Sequence, residues 1–124
     1  MGHYLYLSAI LLVIISIAHS CLGERYILIR LFKRDDLPKL FGSSEFTIRT
    51  LRFAWHITSV AWIGFAAILV SLANPAIEPN TIGLIIGCTF LGHFLIAIIG
   101  SKGRHLSWPV FLTIGILTIY ATST

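Results

Sequence analysis

The sequence predicts an all-α integral membrane protein, on the basis of its composition, its segmentation and its distribution of charge. Hydrophobic residues make up 56% of the 124 positions and charged residues only 11%, and the mean hydropathy is +0.89. A soluble domain carries roughly 25% charged residues. We therefore expect an antiparallel four-helix bundle in the membrane, which forms one domain over residues 1–124.

Four apolar segments are long enough to cross the hydrocarbon core of a bilayer, which takes about 20 helical residues. They cover approximately residues 4–22, 53–73, 81–100 and 106–121. One substantial loop is left, residues 23–52, and no stretch of these residues remains for a soluble catalytic domain. Any function is then carried out inside the bundle, at its surface or by that loop, and an enzyme is the less favoured class.

The first loop begins with residues 24–34, in which large apolar residues are mixed with cations. This composition predicts either a continued first helix or an amphipathic elbow along the lipid headgroups. Ser43 or Ser44 is expected to cap a helix that begins near Glu45, whose carboxylate suits the positive end of the helix dipole. We predict a cytoplasmic elbow that anchors the chain to the lipid surface, in preference to one that docks a partner.

All lysines and arginines fall on one side of this four-span arrangement. They lie in the first loop or its borders and in the turn after the third span: Arg25, Arg30, Lys33, Arg34, Lys39, Arg49, Arg52, Lys102 and Arg104. The opposite loop, residues 74–80, holds only Glu78 as a charged group. Because cytoplasmic loops are enriched in Lys and Arg, we predict both termini outside and both basic loops inside. The net charge of +4 then indicates orientation and attraction to anionic membrane lipids, and not binding to nucleic acid.

Three histidines on three different spans share a layer near the predicted cytoplasmic side. At a rise of about 1.5 Å per residue, His19, His56 and His93 lie roughly 6 to 10 Å from the inner ends of their spans. The interiors of the spans contain no aspartate or glutamate. This disfavours proton-coupled exporters that depend on an embedded carboxylate, as well as cation channels lined by acidic rings.

The histidine layer is a candidate cofactor site, because two neutral imidazoles on facing helices are the ligands of a b-type haem. Arg49, Arg52 and Arg104 are then candidate partners of the haem propionates or, without haem, of lipid headgroups. The same three histidines are alternative ligands of a transition metal.

Gly83 and Gly87 form a pair of small residues four apart near the outer end of the third span. Small residues at this spacing let two helices approach closely in a membrane. We predict that this face joins neighbouring chains, either in a homo-oligomer or in a larger membrane complex.

Two resemblances add to these predictions. Residues 55–64, WHITSVAWIG, are similar to a histidine-containing stretch of copper-resistance-type and protoporphyrinogen-oxidase-type membrane proteins, which implies haem or metal at His56. The whole chain looks like a family of small uncharacterised four-span proteins of the bacterial inner membrane, through the runs HSCLGERY at residues 19–26 and LRFAWH at residues 51–56. That second resemblance implies a bacterial inner-membrane location and supplies no activity.

Three functional interpretations remain open at this stage. The first is a non-catalytic membrane subunit or oligomeric scaffold, in which the histidines pack helices together. The second is a haem- or metal-binding redox or assembly protein that uses the histidine layer. The third is a small oligomeric channel or carrier.

Overall fold

The computed structural model describes residues 2–124 and is all-helical over that range, with no β-strand. The helices are α1 (Gly2–Leu31), α2 (Glu45–Leu72), α3 (Pro79–Gly100) and α4 (Ser107–Ser123). The predicted all-α class is confirmed. Each predicted span overlaps one of these helices, and α1 and α2 extend beyond the predicted bounds into the first loop.

Within residues 2–124, three helices (α1, α2 and α3) are long and apolar enough to cross a membrane. The α4 helix is equally apolar in character but has 17 residues. At about 1.5 Å per residue it is roughly 26 Å long, slightly less than the hydrocarbon core of a typical bilayer. The three longer helices support the assignment to membrane proteins.

The helices pack in the order of the chain, α1 against α2, α2 against α3 and α3 against α4. No other pair of helices in the described range forms an extensive contact, so α1 and α4 lie at the two edges of an open row. The closed bundle that we predicted is therefore not confirmed. Lipid chains solvate apolar helix surface as well as protein does, so hydrophobicity alone provides no drive to close the row.

Glycines bring the third and fourth helices into close contact. A Cβ atom on Gly87 would lie 2.5 Å from Cγ1 of Ile119 and 3.1 Å from the carbonyl oxygen of Gly115, and one on Gly83 would collide with Thr122. Both Gly83 and Gly87 are buried. The small-residue face that we predicted to join neighbouring chains is thus covered by α4 within the same chain.

Of the two alternatives for residues 24–34, the structure has the continued helix. The first helix runs to Leu31 and includes a π-helical stretch at Glu24–Leu28. The next helix begins at Glu45, as predicted, and the Glu45 N–H donates to Oγ of Ser43 over 3.3 Å. In the connecting loop, the guanidinium of Arg34 hydrogen-bonds to Asp36 and holds the pKa of that carboxyl below its usual range.

The two basic loops meet at one end of the row. Nη1 of Arg49 donates to the carbonyl oxygen of Gly100 over 3.3 Å, and Nζ of Lys102 lies 3.5 Å from Oε1 of Glu45. At the other end, Gly2 lies close to Ala73. We call the end that carries all nine lysines and arginines the basic end.

Candidate functional site

Polar side chains join α1 to α2 in the part of the helices next to the basic end. Ser16 donates its hydroxyl to the carbonyl oxygen of Ser59 over 2.7 Å, and Ser20 donates to Oγ of Ser59 over 2.7 Å. Nδ1 of His56 lies 3.0 Å from Oγ of Ser20. Ser16 and Ser59 are buried. Inside a membrane, hydrogen bonds of this kind hold neighbouring helices together.

Glu24 completes this set of contacts at the basic end. One carboxylate oxygen lies 2.9 Å from Nη2 of Arg52 and the other lies 3.3 Å from Nε2 of His56. Glu24 is also the first residue of the π-helical stretch, and such stretches are frequent at functional sites. We call these six residues the polar chain: Ser16, Ser20, Glu24, Arg52, His56 and Ser59.

His19 lies in an aromatic contact at the same interface. Its ring stacks on Trp55 with centroids 4.4 Å apart and an angle of 2° between the planes, and it meets the edge of Trp62 at 4.9 Å. The Trp55 indole N–H donates to the carbonyl oxygen of His19 over 3.0 Å. Gly23 has no side chain and so leaves room for the Trp55 indole. Nε2 of His19 is buried without a hydrogen-bond partner.

His93 lies on α3, apart from the other two predicted histidines, and meets Phe111 of α4 and the backbone of α2 at Ile57. It contacts the ring edges of Phe90 and Phe111 at centroid distances of 5.4 and 5.5 Å, and its Nε2 is buried without a hydrogen-bond partner. Over residues 2–124, no group of three or more His, Cys, Asp or Glu side chains is placed to hold a metal ion. The structure thus brings His19 and His56 to one interface and His93 to another.

A cleft of about 810 Å³ opens between α2 and α3 at the basic end. Its polar side comes from α2, where Arg49, Arg52 and His56 follow one another at the spacing of one helical face. Its apolar side comes mainly from Leu95 and Ile99 of α3. The remaining lining residues are Ser43, Ser44, Glu45, Ile48, Phe53, Ile96 and Gly100.

The cleft contains two of the three arginines that we predicted as partners of an anionic group. Arg49 and Arg52 line it together, whereas Arg104 lies in the turn after α3 and is not among its lining residues. Neither a protein-family model nor a curated protein nor a solved structure matches the chain. The chemistry of the polar chain and of the cleft therefore carries the functional argument.

Proposed function

We propose that the chain is a non-catalytic subunit or oligomeric scaffold of the bacterial inner membrane, in which it crosses the bilayer four times. In this arrangement both termini lie outside and the basic end lies in the cytoplasm. The position of all nine cations at one end of the row supports this orientation. The fourth crossing would be made by α4, whose 17 residues match the lower end of the range of about 17 to 25 for spanning helices.

The open row of helices is the observation that carries the scaffold role. Large apolar side chains are exposed along both edge helices, among them Leu11 and Ile14 of α1 and Leu117 and Tyr120 of α4. Within residues 2–124, no helix covers the outward face of either edge helix, so that face is free for a second copy or for another membrane subunit. The proposal is that one of these edges pairs with such a neighbour.

The polar chain supports a structural role for the polar groups at membrane depth. Ser16 and Ser20 each donate a hydrogen bond to Ser59, and both ring nitrogens of His56 lie within hydrogen-bond distance of neighbours in the set. Groups that satisfy one another between two helices stabilise the pairing of those helices. A scaffold needs stable pairing between its helices, and it does not need a reactive side chain that is free to contact a substrate.

The experiment is a mass measurement on the chain extracted directly from its membrane into polymer-bounded nanodiscs. We expect particles with at least two copies, or with one copy and a second membrane protein, because a scaffold role requires a neighbour at one of the open edges. Particles with one copy alone, at native expression levels and with native lipid, would contradict the proposal.

Haem binding is a second candidate, because Nε2 of His19 and Nε2 of His93 are buried without hydrogen-bond partners. The reduced-minus-oxidised absorption spectrum of the same particles tests it. A Soret band that disappears in His19→Ala or in His93→Ala, but persists in the exposed control His3→Ala, would replace the scaffold with a haem protein. A colourless protein with the expected neighbours would support the scaffold.

A further inference from the structure

We infer that the cleft at the basic end binds one anionic phospholipid, with the phosphate between Arg49 and Arg52 and one acyl chain along α3. The inference requires that the helices lie in a membrane, but it does not depend on a scaffold role. Three features of the cleft support it: arginines held in place, an excess of one positive charge, and an exposed apolar wall beside them.

Both arginines are positioned by contacts that leave part of each guanidinium free. Arg49 donates through Nε to Glu45 over 2.9 Å and through Nη1 to the carbonyl oxygen of Gly100 over 3.3 Å. Arg52 binds both carboxylate oxygens of Glu24 through Nε and Nη2. A guanidinium carries more N–H donors than the two that these contacts use. The free donors can bind phosphate, and they are already oriented, so little side-chain entropy is lost on binding.

The charge around the cleft suits a phosphodiester. Arg49, Arg52 and Glu45 line the cleft, and they pair with Glu24 and Lys102 just outside it, which makes three cations and two acids. One positive charge is left over, which matches the single negative charge of a phospholipid phosphodiester. Free inorganic phosphate carries a higher charge at neutral pH and has no apolar part.

The apolar wall distinguishes a lipid from a free anion. Leu95 and Ile99 are four residues apart on one face of α3 and are 52% and 73% exposed. Gly100 lies against Phe53 at the level of the arginines, so this face of α3 leads from the arginines toward the predicted middle of the bilayer. An acyl chain that follows the wall would cover both side chains while its phosphate meets the arginines.

The test is a titration of the purified protein in detergent with phosphatidylglycerol, read by native mass spectrometry. We expect one phosphatidylglycerol per chain to bind more tightly than phosphatidylcholine, which has no net charge. Arg49→Gln should weaken phosphatidylglycerol binding about tenfold, because one charge-assisted hydrogen bond is worth roughly that factor. The matched control is Arg34→Gln, which removes an exposed arginine outside the cleft and should leave binding unchanged.

A second pair of variants keeps every arginine in place. Ile99→Trp fills the apolar wall at an exposed position and should weaken phosphatidylglycerol binding, whereas Leu106→Trp, at an exposed position outside the cleft lining, should not. If Arg34→Gln and Arg49→Gln weakened phosphatidylglycerol binding equally, the inference would be overturned, because the lipid would then be attracted by the overall positive charge and not by the cleft. Equal affinity for phosphatidylcholine would also overturn it, as would displacement of the lipid by inorganic phosphate at the lipid's own concentration. None of these outcomes affects the nanodisc mass measurement, so the two proposals fail separately.

Discussion

Gly87→Ala is expected to lower the free energy of unfolding by about 2 kcal/mol relative to Gly92→Ala. The added methyl group at Gly87 would meet both Ile119 and the carbonyl oxygen of Gly115, and the carbonyl belongs to the backbone of α4 and cannot rotate away. At Gly92 the only close neighbour of the same methyl group is Cγ1 of Val60, at 3.3 Å. Both substitutions gain the same helix propensity, so their difference reports packing alone.

Unfolding by sodium dodecyl sulfate in mixed micelles measures this difference. Trp108 of α4 lies with its ring centroid 6.1 Å from that of Phe94 in α3, so its fluorescence reports the separation of the two helices. Trp55→Phe and Trp62→Phe in the parent chain would isolate that signal. Equal stability of the two alanine variants would show that α3 and α4 do not meet through Gly87.

Glu24→Gln is expected to lower the free energy of unfolding by about 1 kcal/mol, because it weakens a partly exposed ion pair with Arg52 and a contact with His56. The control is Asp36→Asn, which removes the acid of an ion pair that is exposed on both sides and joins residues two apart. Exposed pairs contribute little, so this control should change stability by less than about 0.5 kcal/mol.

A double-mutant cycle with Arg52→Gln separates the ion pair from general effects of each substitution. We expect a coupling energy of about 1 kcal/mol between Glu24 and Arg52. Additive losses would show that the two side chains do not interact in the folded protein. A stability unchanged by Glu24→Gln would remove the polar chain as a link between α1 and α2.

The helices could be predicted from the sequence because a long run of apolar residues is typical of a helix that spans a membrane. The start of α2 at Glu45 also followed from local signals, namely a serine and then an acid before the apolar run. The position of the cations at one end could also be predicted, because successive helices run in opposite directions and the two basic loops therefore lie at the same end. These features depend on single segments or on their order, which a sequence contains directly.

The partners of the site residues were harder to predict. Ser16, Ser20 and Glu24 are spaced four apart and so share one face of α1, but His19 was the residue of this helix predicted to belong to the site. His19 instead packs on Trp55. Both sets of residues contact α2, and the way the two helices pack decides which side chain of α2 each of them meets. No local pattern in α1 contains that information.

The helix that packs against Gly83 and Gly87 could not be predicted from the sequence, for a related reason. The same is true of whether the row of helices closes into a bundle. A pair of small residues indicates that some helix comes close, but it does not say whether that helix belongs to the same chain. Here α4 takes the position. Whether α1 and α4 meet depends on the balance between protein and lipid contacts, which is nearly even for apolar side chains.

The central claim is that four helices cross the membrane with the basic end in the cytoplasm, and thiol labelling from outside the cell tests it most directly. Cys21→Ala and Cys88→Ala would first remove the native thiols, both of which are exposed in the isolated chain. Single cysteines would then be placed at exposed positions by Asp35→Cys, Ala76→Cys and Thr124→Cys.

We expect a membrane-impermeant maleimide to label the Ala76→Cys and Thr124→Cys variants in intact spheroplasts, and to label the Asp35→Cys variant only after lysis. Labelling of Asp35→Cys from outside would contradict the orientation. Labelling of Ala76→Cys from outside together with protection of Thr124→Cys until lysis would show that α4 does not cross, and would leave three spans in place of four.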